Sequence, residues 1–82
     1  MHDKDGKLIK SGGLVLPAEW DHKGNVVAVY LSAFDEEEYL IDKNGYGRKL
    51  LSCLRKKVEV SGLEKEEGGR KCMKILTYRV ME

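Results

Sequence analysis

The chain has no run of about eighteen apolar residues, so no segment reads as a membrane-spanning helix. Proline occurs once, at Pro17, cysteine twice, at Cys53 and Cys72, and histidine twice, at His2 and His22. A zinc site draws three or four ligands from close pairs such as C-x-x-C, and no such pair is present. No metal or other cofactor is therefore expected. Charge of one sign is also missing: 15 lysines and arginines against 14 carboxylates leave a net +1. That balance argues against a surface built throughout for polyanions. The first twelve residues, MHDKDGKLIKSG, are too polar for the apolar region of a signal peptide, so a cytoplasmic chain is expected. Reducing conditions there leave thiols free, and both cysteines lie in apolar-periodic stretches (LLSCL and CMKIL) as small core hydrophobes.

What is present is one domain's worth of alternating apolar pattern in 82 residues. A chain of this size buries roughly 60–65% of its unfolded surface and has a stability on the order of 5 kcal/mol. Residues 1–12 mix charge and glycine and read as a flexible lead-in, leaving 13–82 for the folded domain. Leu14 to Trp20 (LVLPAEW) is a first strand, at an edge or bulged near Pro17 because proline lacks a ladder donor. The turn cluster Asp21 to Asn25 leads to Asn25–Ser32 (NVVAVYLS), the clearest strand. Val27, Val29 and Leu31 share one of its faces; Val26, Ala28 and Tyr30 share the other.

A turn at AFDEE precedes a third strand, Glu38–Asp42, and Asp42-Lys43-Asn44-Gly45 ends it. The period then changes. Gly47, Leu50, Leu51 and Leu54 fall on one face of a short helix, with Arg55 near an end where the dipole favours it. Lys56–Leu63 alternates again, and Gly62 marks a bulge or sharp bend within it. Glu64–Gly69 reads as a hairpin loop and Arg70–Met81 as the last strand.

Five strands with one short helix between the third and fourth make an all-β, OB-fold-like barrel. An SH3-like barrel has no ordered helix at that position and ranks second. The stretch EYLIDKNGYGRKLLSCLRKKVEVSGLEKEEGGRKCMKILTYRV, about half the chain, resembles small bacterial OB-fold-like proteins, mostly of uncharacterised role. Within it, KKVEVSGLEKEEGGRK looks like the fourth-strand, turn and fifth-strand pattern of such domains, and WDHKGNVVAV is also family-like. The resemblance implies a binding scaffold and carries no catalytic motif.

Asp3-Lys4-Asp5-Gly6 and Asp42-Lys43-Asn44-Gly45 open like calcium loops, but their twelfth positions are Leu14 and Cys53 instead of glutamate. They read as Asx-type turns. The glycine pairs at 12–13, 45/47 and 68–69 match neither phosphate-loop pattern. Gly45-Tyr46-Gly47 does precede a helix whose free amides could accept an anion, although glycines in tight turns are the ordinary reading. No serine lies in a nucleophile elbow, and the carboxylate run Asp35–Glu38 reads as a solvated loop. The chain is not expected to be an enzyme.

OB domains commonly hold oligonucleotides or oligosaccharides on their second and third strands and flanking loops. Single-strand binding needs a basic groove with aromatic platforms. The aromatics are Trp20, Tyr30, Phe34, Tyr39, Tyr46 and Tyr78, of which Trp20 and Tyr30 suit that face. Core packing is the plainer role for each of them. Charge divides sharply along the chain. Residues 1–42 hold nine carboxylates and four lysines, net −5; residues 43–82 hold eleven cations and five glutamates, net +6. The acidic run falls in the hairpin where nucleic acid would want cations. Two Gly-Arg-Lys segments, with Arg48-Lys49 and Arg70-Lys71, are candidate cationic contacts if they border one barrel end.

The candidate site is thus Trp20, Tyr30, Arg48, Lys49, Arg70 and Lys71. Two partners compete for it: single-stranded DNA or RNA, and an acidic protein docking on the bipolar surface. A monomer is expected, with a weak self-contact through the Pro17 strand as the alternative.

Overall fold

A computed structural model describes residues 6–43 and 45–81. The strands are β1 (Lys7–Trp20), β2 (Val26–Ala33), β3 (Glu38–Ile41), β4 (Lys57–Glu67) and β5 (Arg70–Val80), with a 3₁₀ helix, η1 (Gly45–Cys53), between β3 and β4. They close into a barrel in the order β1-β2-β3-β5-β4. All neighbours are antiparallel except β3 and β5, which run parallel. This is the OB-fold-like barrel that the element order predicts. No helix among the described residues is long and apolar enough to cross a membrane.

Closure depends on β1. It pairs with β4 from Lys7 to Leu14 and with β2 from Gly13 to Trp20, passing from one side of the barrel to the other. Residues 7–12 are therefore strand, whereas their polarity suggests a loose lead-in. The polar composition has a physical cause: Lys10 and Gly12 stand opposite Ser61 and Glu59 on the outer face of the sheet, and only Ile9 of this stretch packs against the core. Residues 1–5 of the expected lead-in, with His2 and most of the Asp3–Gly6 pattern, lie outside the described residues.

Pro17 fits both readings of its strand. The Val15 amide donates to the Lys56 carbonyl, on the β4 side. Two residues on, Pro17 faces the same side, where β4 has already ended, so the missing donor leaves no gap in the ladder. The register shifts immediately afterwards, between Pro17 and Glu19 and again before Trp20.

The core alternates along each strand: Val29, Leu31 and Ala33 from β2, Tyr39 and Ile41 from β3, and Val58 and Val60 from β4. In β5 the inward set changes parity. Met73 and Ile75 point in, but beyond Leu76 the inward residues are Tyr78 and Val80. Leu76 has no partner where Ser61 pairs Thr77 and Gly62 pairs Ile75, so the bulge expected at Gly62 places its extra residue on the facing strand.

The β4–β5 loop is shorter than the pattern suggests. Both strands continue until Glu67 pairs with Arg70, leaving only Gly68 and Gly69, at φ 58° and 81°. Two consecutive left-handed residues define a type I′ hairpin, whose twist matches the strands. Charged Glu64–Glu67 is solvent-facing strand, not loop.

The helix departs from the α pattern. Gly47, Leu50 and Cys53 are its buried residues, spaced by three, while Leu51 and Leu54 are only half-buried. A 3₁₀ helix has three residues per turn, so positions i and i+3 eclipse. Arg55 lies past the helix end at φ 65° and donates its amide to the Val15 carbonyl, so it does not serve the last helical turn. Both cysteines are free. Cys53 is in the core, but Cys72 alternates with inward Met73 and is half-buried on the outer side.

Candidate functional site

Two surface pockets border β2. The first, about 460 Å³, has a floor of Val27, Val29, Ile41 and Leu51. Lys43 and Arg48 are the charged residues lining it, and both are cations. The second, about 350 Å³, is bordered by Tyr30 and Leu40 with Glu37, Glu38, Glu66, Arg70 and Lys71. Ala28 lines the first and Tyr30, two residues on, lines the second.

Local sequence explains why each end is built as it is. Asp21 shapes the β1–β2 turn at one end by accepting the amides of Lys23 and Asn25, each at 2.9 Å. The Asn25 amide is the chief cause holding the Asp21 carboxyl below its usual range; desolvation opposes it, and the Lys23 amide and the Asn25 side chain add to it. At the other end, the turn after β2 closes with the Ala33 amide on the Glu37 carbonyl at 2.9 Å. The Glu37 amide in turn donates to Asp35 Oδ1 at 3.1 Å. That sets Glu37 beside the β4–β5 hairpin.

Lys71 Nζ meets Glu37 Oε1 at 2.9 Å and Glu64 Oε2 at 3.8 Å. The Glu37 hydrogen bond is the main cause raising the Lys71 ammonium above the usual lysine range. Tyr39, on the neighbouring strand, is pushed up chiefly by burial and then by Glu64. At the opposite end, Lys43 pairs with Glu19 at 3.7 Å in the open. Arg48 and Arg70 have no ion pair among the described residues.

Four of the six candidate residues line one or other of these pockets. Trp20 lines neither: it pairs with Val26 beyond the irregular register at the end of β1 and is 57% exposed. Tyr30, Arg70 and Lys71 stand at the hairpin end and Arg48 at the helix end. Arg48 and the Arg70-Lys71 pair thus stand at different pockets. Lys49 turns elsewhere, its Nζ 5.3 Å from the centre of the Tyr46 ring, which meets Tyr78 edge-on at 6.2 Å.

Sequence reasoning passes over Lys43, Leu40 and Leu51, which look like ordinary turn and core residues. Lys43 and Leu51 line the first pocket and Leu40 the second only because closure brings their elements beside β2. Asn44, in the same turn, lies outside the described residues.

The fold is a small closed OB-like barrel with surface pockets beside its second and third strands. Comparison with protein-family models, with curated proteins and with solved structures gives no match.

Proposed function

We propose that the protein is a non-catalytic binding module that holds an extended segment of a protein partner along β2. The observation that carries this reading is the mixed charge of the pocket around Tyr30. Glu37, Glu38 and Glu66 stand beside Arg70 and Lys71 around Tyr30, and Lys71 is already engaged by carboxylates. A phosphate backbone laid there meets three glutamates and one unengaged cation, which opposes the counterion release that drives nucleic-acid affinity. A peptide carrying both signs finds a partner for each. Five residues of β2, Val26 to Tyr30, span about 16 Å, enough for roughly five extended peptide residues.

Selection from a displayed decapeptide library tests the reading. Enriched peptides should bind wild type and lose at least tenfold affinity for Tyr30→Ala and Arg70→Glu, both on the surface of an intact barrel. Tight, steeply salt-dependent binding of a ten-nucleotide oligothymidine with amide shifts at Tyr30 and Arg70 would overturn it.

A specific observation favours nucleic acid on another face. The Phe34 ring lies over Gly12, is 57% exposed and shares the β1–β4–β5 outer surface with Lys10, Lys57 and Arg79. Arg79, however, is bound to Glu59. This second reading predicts oligothymidine shifts at Phe34 and Lys10 instead of along β2.

A further inference from the structure

The two pockets beside β2 differ in chemistry, and the difference points to one kind of ligand. The pocket at the hairpin carries both signs, whereas the pocket between β2 and η1 is lined by aliphatic carbons and by two cations, Lys43 and Arg48. Leu51 and Arg48 belong to η1, which forms one wall of it. An apolar floor beside two cations, with no carboxylate in the lining, suits an apolar side chain next to a single anionic group.

We infer that the pocket between β2 and η1 takes the free C-terminal carboxylate of a peptide whose last residue is apolar. The inference rests on the peptide-binding reading above. In this arrangement the last side chain lies on Val27, Val29, Ile41 and Leu51, and the carboxylate is shared by the Arg48 guanidinium and the Lys43 ammonium. An arginine offers paired N–H donors matched to a carboxylate, and Arg48 has no competing ion pair among the described residues. Lys43 does have a competitor in Glu19, at 3.7 Å, with both side chains more than half exposed. Glu19 occupies the ammonium without a ligand and releases it when a stronger carboxylate arrives. A peptide bound this way runs opposite to β2, its terminus at Val26 and its earlier residues toward Tyr30.

The experiment uses N-acetyl-leucyl-leucine as the free acid and as its C-terminal amide, each titrated into ¹⁵N-labelled full-length protein. The free acid should shift the amides of Val27, Ala28, Arg48 and Leu51 and bind at least tenfold more tightly than the amide. Arg48→Gln should reduce acid binding about tenfold and leave amide binding unchanged. Glu19→Gln should tighten acid binding two- to threefold, a gain that a damaged fold would not produce. Equal affinity of acid and amide, or no shift in this pocket with either, overturns the inference. If the acid fails here while library peptides still bind at Tyr30 and Arg70, only the terminus assignment falls. Loss of both overturns the peptide-binding reading as well.

Discussion

Leu50 is fully buried, delivered into the core by a helix that touches the barrel with one residue in three. Truncating it removes that contact and leaves a cavity that the surrounding strands cannot close. Leu50→Ala should therefore cost about 3 kcal/mol. In a domain with a stability on the order of 5 kcal/mol that is most of the margin, so the variant's urea midpoint should fall by half or more. Asp21 tests electrostatics at the same scale. Its carboxyl is held below 3.8 by turn amides, so its charged form contributes stability that is complete above that value and is lost as pH falls through the lowered one. Asp21→Asn keeps an oxygen acceptor but not the charge. Thermal melts of wild type and Asp21→Asn should differ at neutral pH and converge in strong acid, once Asp21 is protonated. Lys71 has the opposite sign: its contribution is complete below the lysine range and is lost as pH rises through the raised value. Lys71→Met should lessen that alkaline dependence, read as melting temperature from about pH 10 (near the ordinary lysine value) upward.

At the scale of elements, the β4–β5 hairpin and η1 are held by different devices. The hairpin needs two left-handed residues in succession, which Gly68 and Gly69 supply at φ 58° and 81°. Replacing both by alanine should cost roughly 1–2 kcal/mol per site, since a side chain in that region is strained. It should also disturb the placement of Arg70 and Lys71, visible as amide shifts through residues 64–73. The helix instead needs a close approach: a side-chain carbon on Gly47 would strike the Asp42 carbonyl oxygen. Gly47→Val should displace η1, destabilising the domain by about 1–3 kcal/mol and altering the β2–η1 pocket.

The element boundaries show what a linear pattern conveys. β2, β3 and the glycine hairpin were legible because turn residues bracket β-branched runs. Residues 7–12 were not, because a strand paired on an open sheet face has few apolar side chains to announce it. Nor was the three-residue period of η1, since Leu51 and Leu54 complete an α-like stripe that the tighter winding leaves half-exposed. Leu76 is the plainest case: a bulge residue shifts the inward parity of β5, and only the register against β4 reveals it.

For the whole molecule, the charge division along the chain is undone by folding. β1 lies against β4, β3 lies against β5, and Lys43–Glu19 and Lys71–Glu37 join the acidic half to the basic one. The surface is accordingly mixed over short distances, and its long-range field should be weak. Mobility on a cation-exchange column at neutral pH should be near that of a neutral protein of 9.3 kDa, with little retention at 0.1 M salt. Strong retention would show that the +6 half presents a contiguous patch after all.

The amino-acid pattern by itself determined the barrel class. Alternation is read locally, and five alternating runs with one change of period admit few closed arrangements in 82 residues. It also grouped Tyr30 with Ala28 on the face of β2 opposite Val29 and Leu31, because a period of two assigns faces without knowledge of partners. Only the tertiary structure decided which charges meet. Ion pairing falls off over a few ångströms, and residues 34 positions apart, such as Glu37 and Lys71, come within 2.9 Å only when β3 and β5 close the barrel. The same closure joined Lys43, Arg48 and Leu51 to β2, making a lined groove from residues that are unremarkable in the linear chain.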